Sequence, residues 1–431
     1  MANILIRNVD ILTMTEDQQV INDGEMVVSG NKLLVVGERG SVPKDFKADI
    51  EIDGSGMVAM PGFVNCHTHA AMTLLRGYAG DLPLMEWLHN IWPIEDKMQA
   101  ADIYYGSLLA CVEMIKSGTT TFADMYSFMD KVADAAIESG MRAVLARGLI
   151  GAAPNGMQAL AENKEFVQQY QGAANGRITT MIGPHAPYTC PPDYLLKVIE
   201  AAEELKVGLH IHLAETATEY TDIVNQYGKT PIQHVESLGL FKLPTLAAHC
   251  VHLDNQDIEI LAKYNVGVAH NPESNMKLAS GIAPVPKLLA AGVNVGLGTD
   301  GASSNNNLDM LEEMRSAALL HKVSSMDPTV MPAQQALKMA TVNGAKVLGL
   351  EKEIGQLKPG MKADFILINF KAPHLYPKLD IAAHLVYAAH SADVDTVIID
   401  GELVMQNRKI LTVDEDEIMQ QVAERAKRLL A

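Results

Sequence analysis

Residues 61–69 read Pro61-Gly62-Phe63-Val64-Asn65-Cys66-His67-Thr68-His69, a short apolar strand that ends in two histidines where a buried strand normally meets a turn. In extended backbone, residues i and i+2 point to the same side, so both imidazoles can face one ion. Neutral imidazole is a common zinc ligand, and zinc wants three or four such donors. A His-x-His pair alone recurs by chance. Its position at the end of a strand, and the repetition of that ending downstream, give it weight.

Downstream of it, apolar strands alternate with amphipathic helices. Candidate strands are Gly62–Asn65, Thr119–Asp124, Ala143–Leu149, Thr179–Gly183, Gly208–His212, Thr245–His249, Val266–His270 and Asn294–Thr299. Helical patterns over Ala100–Ser117, Asp130–Ser139, Pro192–Leu205, Thr230–Leu238, Asn255–Tyr264 and Val285–Ala291 fill most of the gaps. Eight β units alternating with helices are what a parallel (β/α)8 barrel requires, a doubly wound sheet being the alternative. Nearly every strand ends in a histidine, an acid or an arginine: His67 and His69, Asp124, Arg147, His185, His212 with Glu215, His249, His270 and Asp300. Any one of these suits a hydrogen-bonded core position. All of them together fall at the carboxyl ends of strands, the face where barrel active sites are built.

Two further segments supply candidate ligands. In Gly208–Glu215, reading GLHIHLAE, His210 and His212 share a face and either suits a metal on geometry alone. Glu215, three residues past His212, can stand beside an ion's water. Asp300, in Gly298-Thr299-Asp300-Gly301, can ligate the ion, take a proton from its water, or cap the loop that follows.

Outside this region the texture changes. Asn3–Met14, Glu25–Val28 and Lys32–Val36 read as strands separated by turn pairs such as Asp23-Gly24. Asp364–Asn369, Thr396–Ile399 and Glu402–Gln406 repeat that pattern, with Asp400-Gly401 a hairpin signal. The expected class is α/β: a (β/α)8 TIM-type barrel over residues 59–354, and a small β-sandwich module formed by both termini, 1–58 and 355–431, the latter including a terminal helix.

The chain of 431 residues is long enough for a barrel of roughly 250 residues and a second module. A net charge of −18 argues against nucleic acid or an anionic membrane as partner, since both demand basic patches. It leaves open a small substrate that carries a nucleobase. Cys66, Cys111, Cys190 and Cys250 form no CxxC pair, which disfavours a zinc knuckle or disulfide framework. The N-terminal segment lacks a signal-peptide pattern, and no apolar run approaches the roughly 20 residues of a membrane helix. The expected setting is soluble and cytoplasmic. Barrels of this kind commonly self-associate, and the subunit count stays open.

PGFVNCHTH, HLAET, HCVHL and GTDGASSNN, in that order, resemble the amidohydrolase superfamily, and within it the methylthioadenosine/S-adenosylhomocysteine deaminase family. The resemblance runs over nearly the whole chain, including GQLKPGMKADFILIN in the flanking module. It implies one zinc ion per chain held by His67, His69, His212 and Asp300, with His210 structural. It further implies that Glu215 protonates the ring nitrogen of an adenine base, that His249 holds or orients the attacking water, and that Asp300 takes that water's proton. His185 would contact the nucleoside, Glu95 its ribose hydroxyls, and Arg147 its outer end. Relatives that bind the amino-acid tail of S-adenosylhomocysteine often carry a second arginine a dozen residues beyond Arg147. Ile150–Leu160 contains none.

The shared metal motifs leave guanine deaminase, another aminohydrolase or a triazine-type chlorohydrolase as alternatives. A non-catalytic binding relative is a third reading, disfavoured by the full set of ligands. The nucleobase deaminases with a PCxxC zinc site are a different class, and that signature is missing here.

Overall fold

The computed structural model describes residues 2–17 and 20–431. Eight parallel strands close into a barrel: β1 Phe63–Thr68, β2 Thr119–Tyr126, β3 Arg142–Leu149, β4 Ile178–Pro184, β5 Gly208–Leu213, β6 Thr245–His249, β7 Gly267–His270 and β8 Asn294–Leu297. These are the eight strands expected from the sequence, with only their edges moved. The expected helices also form, at Ala100–Lys116, Met129–Ser139, Pro192–Leu205, Pro231–Ser237, Asn255–Lys263 and Val285–Ala290. Pro192–Leu205 illustrates why. A proline opens its first turn, and Leu195, Val198, Ile199 and Ala202 bury one stripe at helical spacing before Lys206 ends it at φ 57°.

Parallel neighbours in register share a face of the barrel. Val64, Ala123, Val144, Ala146, Met181, Leu246 and Ala269 form one apolar cluster with Cys66 on the inside, joined by Ala345, Val347 and Leu348. A Cβ at Gly267, the first residue of β7, would meet Val347 at 3.0 Å, so that segment stops the bore at the strand starts. The opposite end is left to polar side chains. β1 carries a bulge on the way there: Asn65 pairs with Phe122 and Thr68 with Asp124, three steps against two. The extra residue turns His67 toward the bore while Cys66 keeps its inward position.

Both termini form the separate β module expected, its strands hydrogen-bonded as one nine-stranded sheet. Its two halves meet where Met57–Pro61 pairs antiparallel with Phe365–Asn369 along their full lengths. Ile4, Ile6, Ile11, Met26, Phe365 and Leu367 form its core. Asp400-Gly401 is the hairpin expected, with φ 50° and 80°. Asp23-Gly24 is not a turn. Val20–Ser29 runs straight through it, and Asp23 at φ 50° absorbs a register shift opposite Val9 and Ile11. Gly24 suits the position because a Cβ would stand 2.9 Å from the backbone carbonyl oxygen of Gly37.

Barrel and sheet are tied by a buried ion network. Arg142 at the start of β3 donates to Asp364 Oδ2 at 2.7 Å and Oδ1 at 3.0 Å, and to Asp400 Oδ1 at 3.1 Å. The terminal helix Glu415–Leu430 is tied down by Arg425 and Arg428, both paired with buried Asp102 of the helix Ala100–Lys116. Among the described residues no helix is long and apolar enough to cross a membrane.

Candidate active site

At the carboxyl ends of β1, β5 and β8, three imidazoles and one carboxylate converge. The donor nitrogens of His67, His69 and His212 all lie within 4.8 Å of one another, as do donor atoms of His67, His249 and Asp300. His69 Nε2 is 3.2 Å from Asp300 Oδ1 and 3.4 Å from His212 Nε2, and His67 Nε2 is 3.5 Å from the same Asp300 oxygen.

Each ring is aimed by its other nitrogen. His67 Nδ1 meets His210 Nε2 at 2.8 Å, His69 Nδ1 donates to the Met125 carbonyl at 2.6 Å, and His212 Nδ1 to the His185 carbonyl at 2.9 Å. With Nδ1 so engaged, Nε2 is the nitrogen left for a metal, the arrangement ligating histidines adopt. Of the two histidines on β5, His212 joins the cluster with His67 and His69, and His210 Nε2 meets His67 Nδ1.

The residues fit a divalent ion. His67 Nε2 is wholly buried and makes no hydrogen bond among the described residues. Burial drives His67 down to about 4 and His212 well below the usual imidazole range, favouring the neutral form that metals bind. His69 differs: burial opposes its charge, but the adjacent Asp300 carboxylate outweighs that and lifts it to about 9. Asp300 in turn is held far below the carboxylate range by His67 and His69, against its burial. A buried carboxylate within 3.5 Å of two imidazole nitrogens, with a third imidazole nitrogen 3.4 Å from one of them, is a set of donors that a cation completes.

Asp300 is held at both oxygens. Oδ2 accepts from Ser274 Oγ at 2.7 Å and Ser304 Oγ at 3.0 Å, and Oδ1 from the Gly301 amide at 2.7 Å. His249 ends β6 with φ 72°, and its Nδ1 meets Asn275 Oδ1 at 2.9 Å. Its Nε2 lies 3.7 Å from Glu215 Oε2 and 4.0 Å from Asp300 Oδ2. Glu215 is buried, and burial pushes its carboxyl up against the pull of His249. His185 stands beside His212, ring centroids 4.9 Å apart, with Nδ1 meeting Thr189 Oγ1 at 2.9 Å. Glu95 ends the helix Leu84–Glu95 and accepts from Tyr126 Oη at 2.5 Å, and the Tyr126 ring lies 6.3 Å from that of His69.

Three of the strand-end residues stand apart from this cluster. Arg147 pairs with Glu162 of the helix Gly156–Tyr170 at 2.6 Å, so its guanidinium is already matched. His270 bonds His321 at 3.1 Å, and Asp124 accepts from the Ala70 amide at 2.6 Å, where it fixes the turn after His69. Sequence reasoning missed the residues that hold the site: Ser274, Asn275, Ser304, Thr189 and Glu219. Ser304 lies within the quoted GTDGASSNN stretch, but nothing there distinguishes it from Ser303.

Comparison with known proteins follows the same lines. Residues 58–404 match the model of the amidohydrolase family. The chain is 61% identical to a 5-methylthioadenosine/S-adenosylhomocysteine deaminase of Pelotomaculum thermopropionicum, over 100% of this chain and 99% of that one. It is 56% identical to the protein of the same name from Desulforamulus reducens, over 100% and 99% of the two chains. Among solved structures it is similar to an adenosine deaminase from Xanthomonas campestris with bound zinc, with a TM-score of 0.95 and 33% identity over 99% of this chain and 98% of that one.

Proposed function

The chain belongs to the amidohydrolase family, and we propose that it removes the 6-amino group of adenosine-type nucleosides by hydrolysis, releasing ammonia. 5′-Methylthioadenosine, S-adenosylhomocysteine and adenosine are the substrates. The observation that carries this reading is the placement of Glu215 and His249 against Asp300, on the same cluster that presents the histidine nitrogens.

His67, His69, His212 and Asp300 would hold one divalent ion, zinc on the pattern of the Xanthomonas relative. When bound, such an ion supplies Lewis-acid activation of water at neutral pH. The rest falls to the chain's own side chains. Asp300, with Oδ2 fixed by two serine hydroxyls, accepts the proton of the water that adds to C6 of the base. His249 Nε2, facing both carboxylates, orients that water. Glu215, its carboxyl raised by burial, delivers a proton to the ring nitrogen N1 as C6 becomes tetrahedral. Asp300 then returns its proton to the 6-amino group, the C6–N bond breaks and ammonia leaves, and the C6 hydroxyl gives its proton back to Glu215 as the 6-oxo base forms. Glu95, held by Tyr126, is the acceptor for ribose hydroxyls, and His185 lines the base's approach beside His212. Arg147 serves the outer end of the substrate only by sharing its charge with Glu162.

Ammonia release from methylthioadenosine, adenosine, S-adenosylhomocysteine and guanine, measured side by side on metal-loaded protein, tests the reading. Turnover of the three nucleosides is expected. Turnover of guanine alone, or of none of the four, would sink it.

A further inference from the structure

Glu219 is buried, and both of its carboxylate oxygens are taken up by backbone. Oε1 accepts from the Ala214 amide at 3.0 Å and Oε2 from the Glu215 amide at 2.8 Å. Thr216 caps the helix Ala217–Tyr227 by accepting from the Glu219 amide at 3.1 Å. In a capping box the glutamate would return to the amide of the capping threonine itself. Here it passes that amide and takes the two before it. No cation accompanies it in these contacts; burial raises the carboxyl to about 7, and the two amides pull the other way. An arrangement costly to bury calls for a reason.

The reason lies in the peptide that it grips. β5 ends at Leu213, and the chain turns at Ala214 with φ 52°, a left-handed conformation that alanine rarely adopts. On the other edge of this turn, the Leu213 carbonyl accepts from the Cys250 amide at 3.0 Å, and the Ala214 carbonyl from Val251 at 3.0 Å and His252 at 2.9 Å. Those donors directly follow His249, and His249 and Cys250 are themselves left-handed, at φ 72° and 48°. The turn that aims Glu215 is thus held on its amides by Glu219 and on its carbonyls by the segment that aims His249.

We propose that Glu219 is a positioning residue for the reaction, fixing the Ala214-Glu215 turn so that the Glu215 carboxyl stands opposite His249 at the reacting base. It touches no substrate atom and acts through Glu215. The proposal rests on the reading of Glu215 as proton donor.

The test measures kcat, KM for methylthioadenosine and metal content for Glu219→Gln, in the parent and in a Glu215→Gln background. The amide side chain accepts from one backbone N–H but presents its own NH2 to the other. In the parent, kcat should fall roughly 10- to 100-fold, with KM within about twofold and metal unchanged, because a small misplacement of a reacting group carries that size of loss. In the Glu215→Gln background the same substitution should change kcat by less than about twofold, the group being aimed having already lost its proton. An equal loss in both backgrounds, a loss confined to KM, departure of the metal, or no loss in the parent would each overturn the proposal. Glu219→Asp keeps the charge but is one methylene too short to span both amides. It should give the same pattern at smaller size, and decides the matter if the glutamine variant does not fold. Parental kcat in Glu215→Gln alone would remove the donor reading and this proposal with it, and is recognised in that single variant.

Discussion

The His67 imidazole shows how much a single side chain can carry. It is buried, steered by His210, and left with one nitrogen that makes no hydrogen bond among the described residues. His67→Ala should therefore lose the ion, and metal analysis should find well under one equivalent where the parent holds about one. Glu215→Gln keeps shape and metal but delivers no proton, so kcat should fall by roughly 10²-fold or more. Retention of parental turnover by that variant would remove Glu215 from its role. The residues named from the sequence were legible because strand ends rich in His and acid are improbable in a core. Ser274, Asn275 and Thr189 were not, because serine, threonine and asparagine fill loops everywhere, and only the fold shows which hydroxyl meets Asp300. Arg147 was legible as a strand-end charge. Its pairing with Glu162, on the helix after β3, could not be read from spacing alone.

At the level of elements, periodicity located the strands well and their irregularities poorly. The β1 bulge leaves no compositional trace, since Asn65, Cys66 and His67 read as three ordinary strand positions. Asp23-Gly24 carried the composition of a turn, but the neighbouring strand Ile4–Leu12 supplied pairing on both sides of it and kept the chain extended. Propensity proposes a turn, and a ladder overrides it. The join between barrel and sheet is a sharper test. Arg142→Met removes the guanidinium that pairs with both Asp364 and Asp400, leaving two buried carboxylates, with Lys362 3.2 Å from Asp400. Breaking a buried pair from one side typically costs about 3–5 kcal/mol, to be read as a lower urea midpoint. An unchanged midpoint would show that the network contributes nothing to holding the two layers together.

For the whole molecule, substrate preference and stability both follow from how charge is placed. Ile150–Leu160 brings no arginine, and Arg147 is already paired with Glu162, so neither offers a tail carboxylate an unpaired guanidinium. An unpaired carboxylate in a partly dry site costs several kcal/mol. Methylthioadenosine or adenosine should accordingly show a higher kcat/KM than S-adenosylhomocysteine, and Glu95→Ala should weaken ribosides far more than a free base. A clear preference for S-adenosylhomocysteine would reveal a cation from elsewhere. Chelation should lower Tm and re-addition of zinc restore it. An ion present at about a thousand times its Kd stabilises by roughly 4 kcal/mol. Both modules also close the same way. Met57–Pro61 meets Phe365–Asn369 in the sheet, and β1 meets β8 in the barrel through a single register pair, Leu297 with Asn65. That seam is sewn by Asn65 to Thr299 at 2.7 Å, by Thr68 to the Asp300 carbonyl at 3.1 Å across 232 residues, and by the Asp300 amide to the His67 carbonyl at 2.9 Å. A chain growing on the ribosome therefore carries His67 and His69 without Asp300 through most of its synthesis. An ion held by all four side chains would have to wait for β8, so a chain truncated before β8 should fail to retain zinc through a desalting column, where the full chain keeps it.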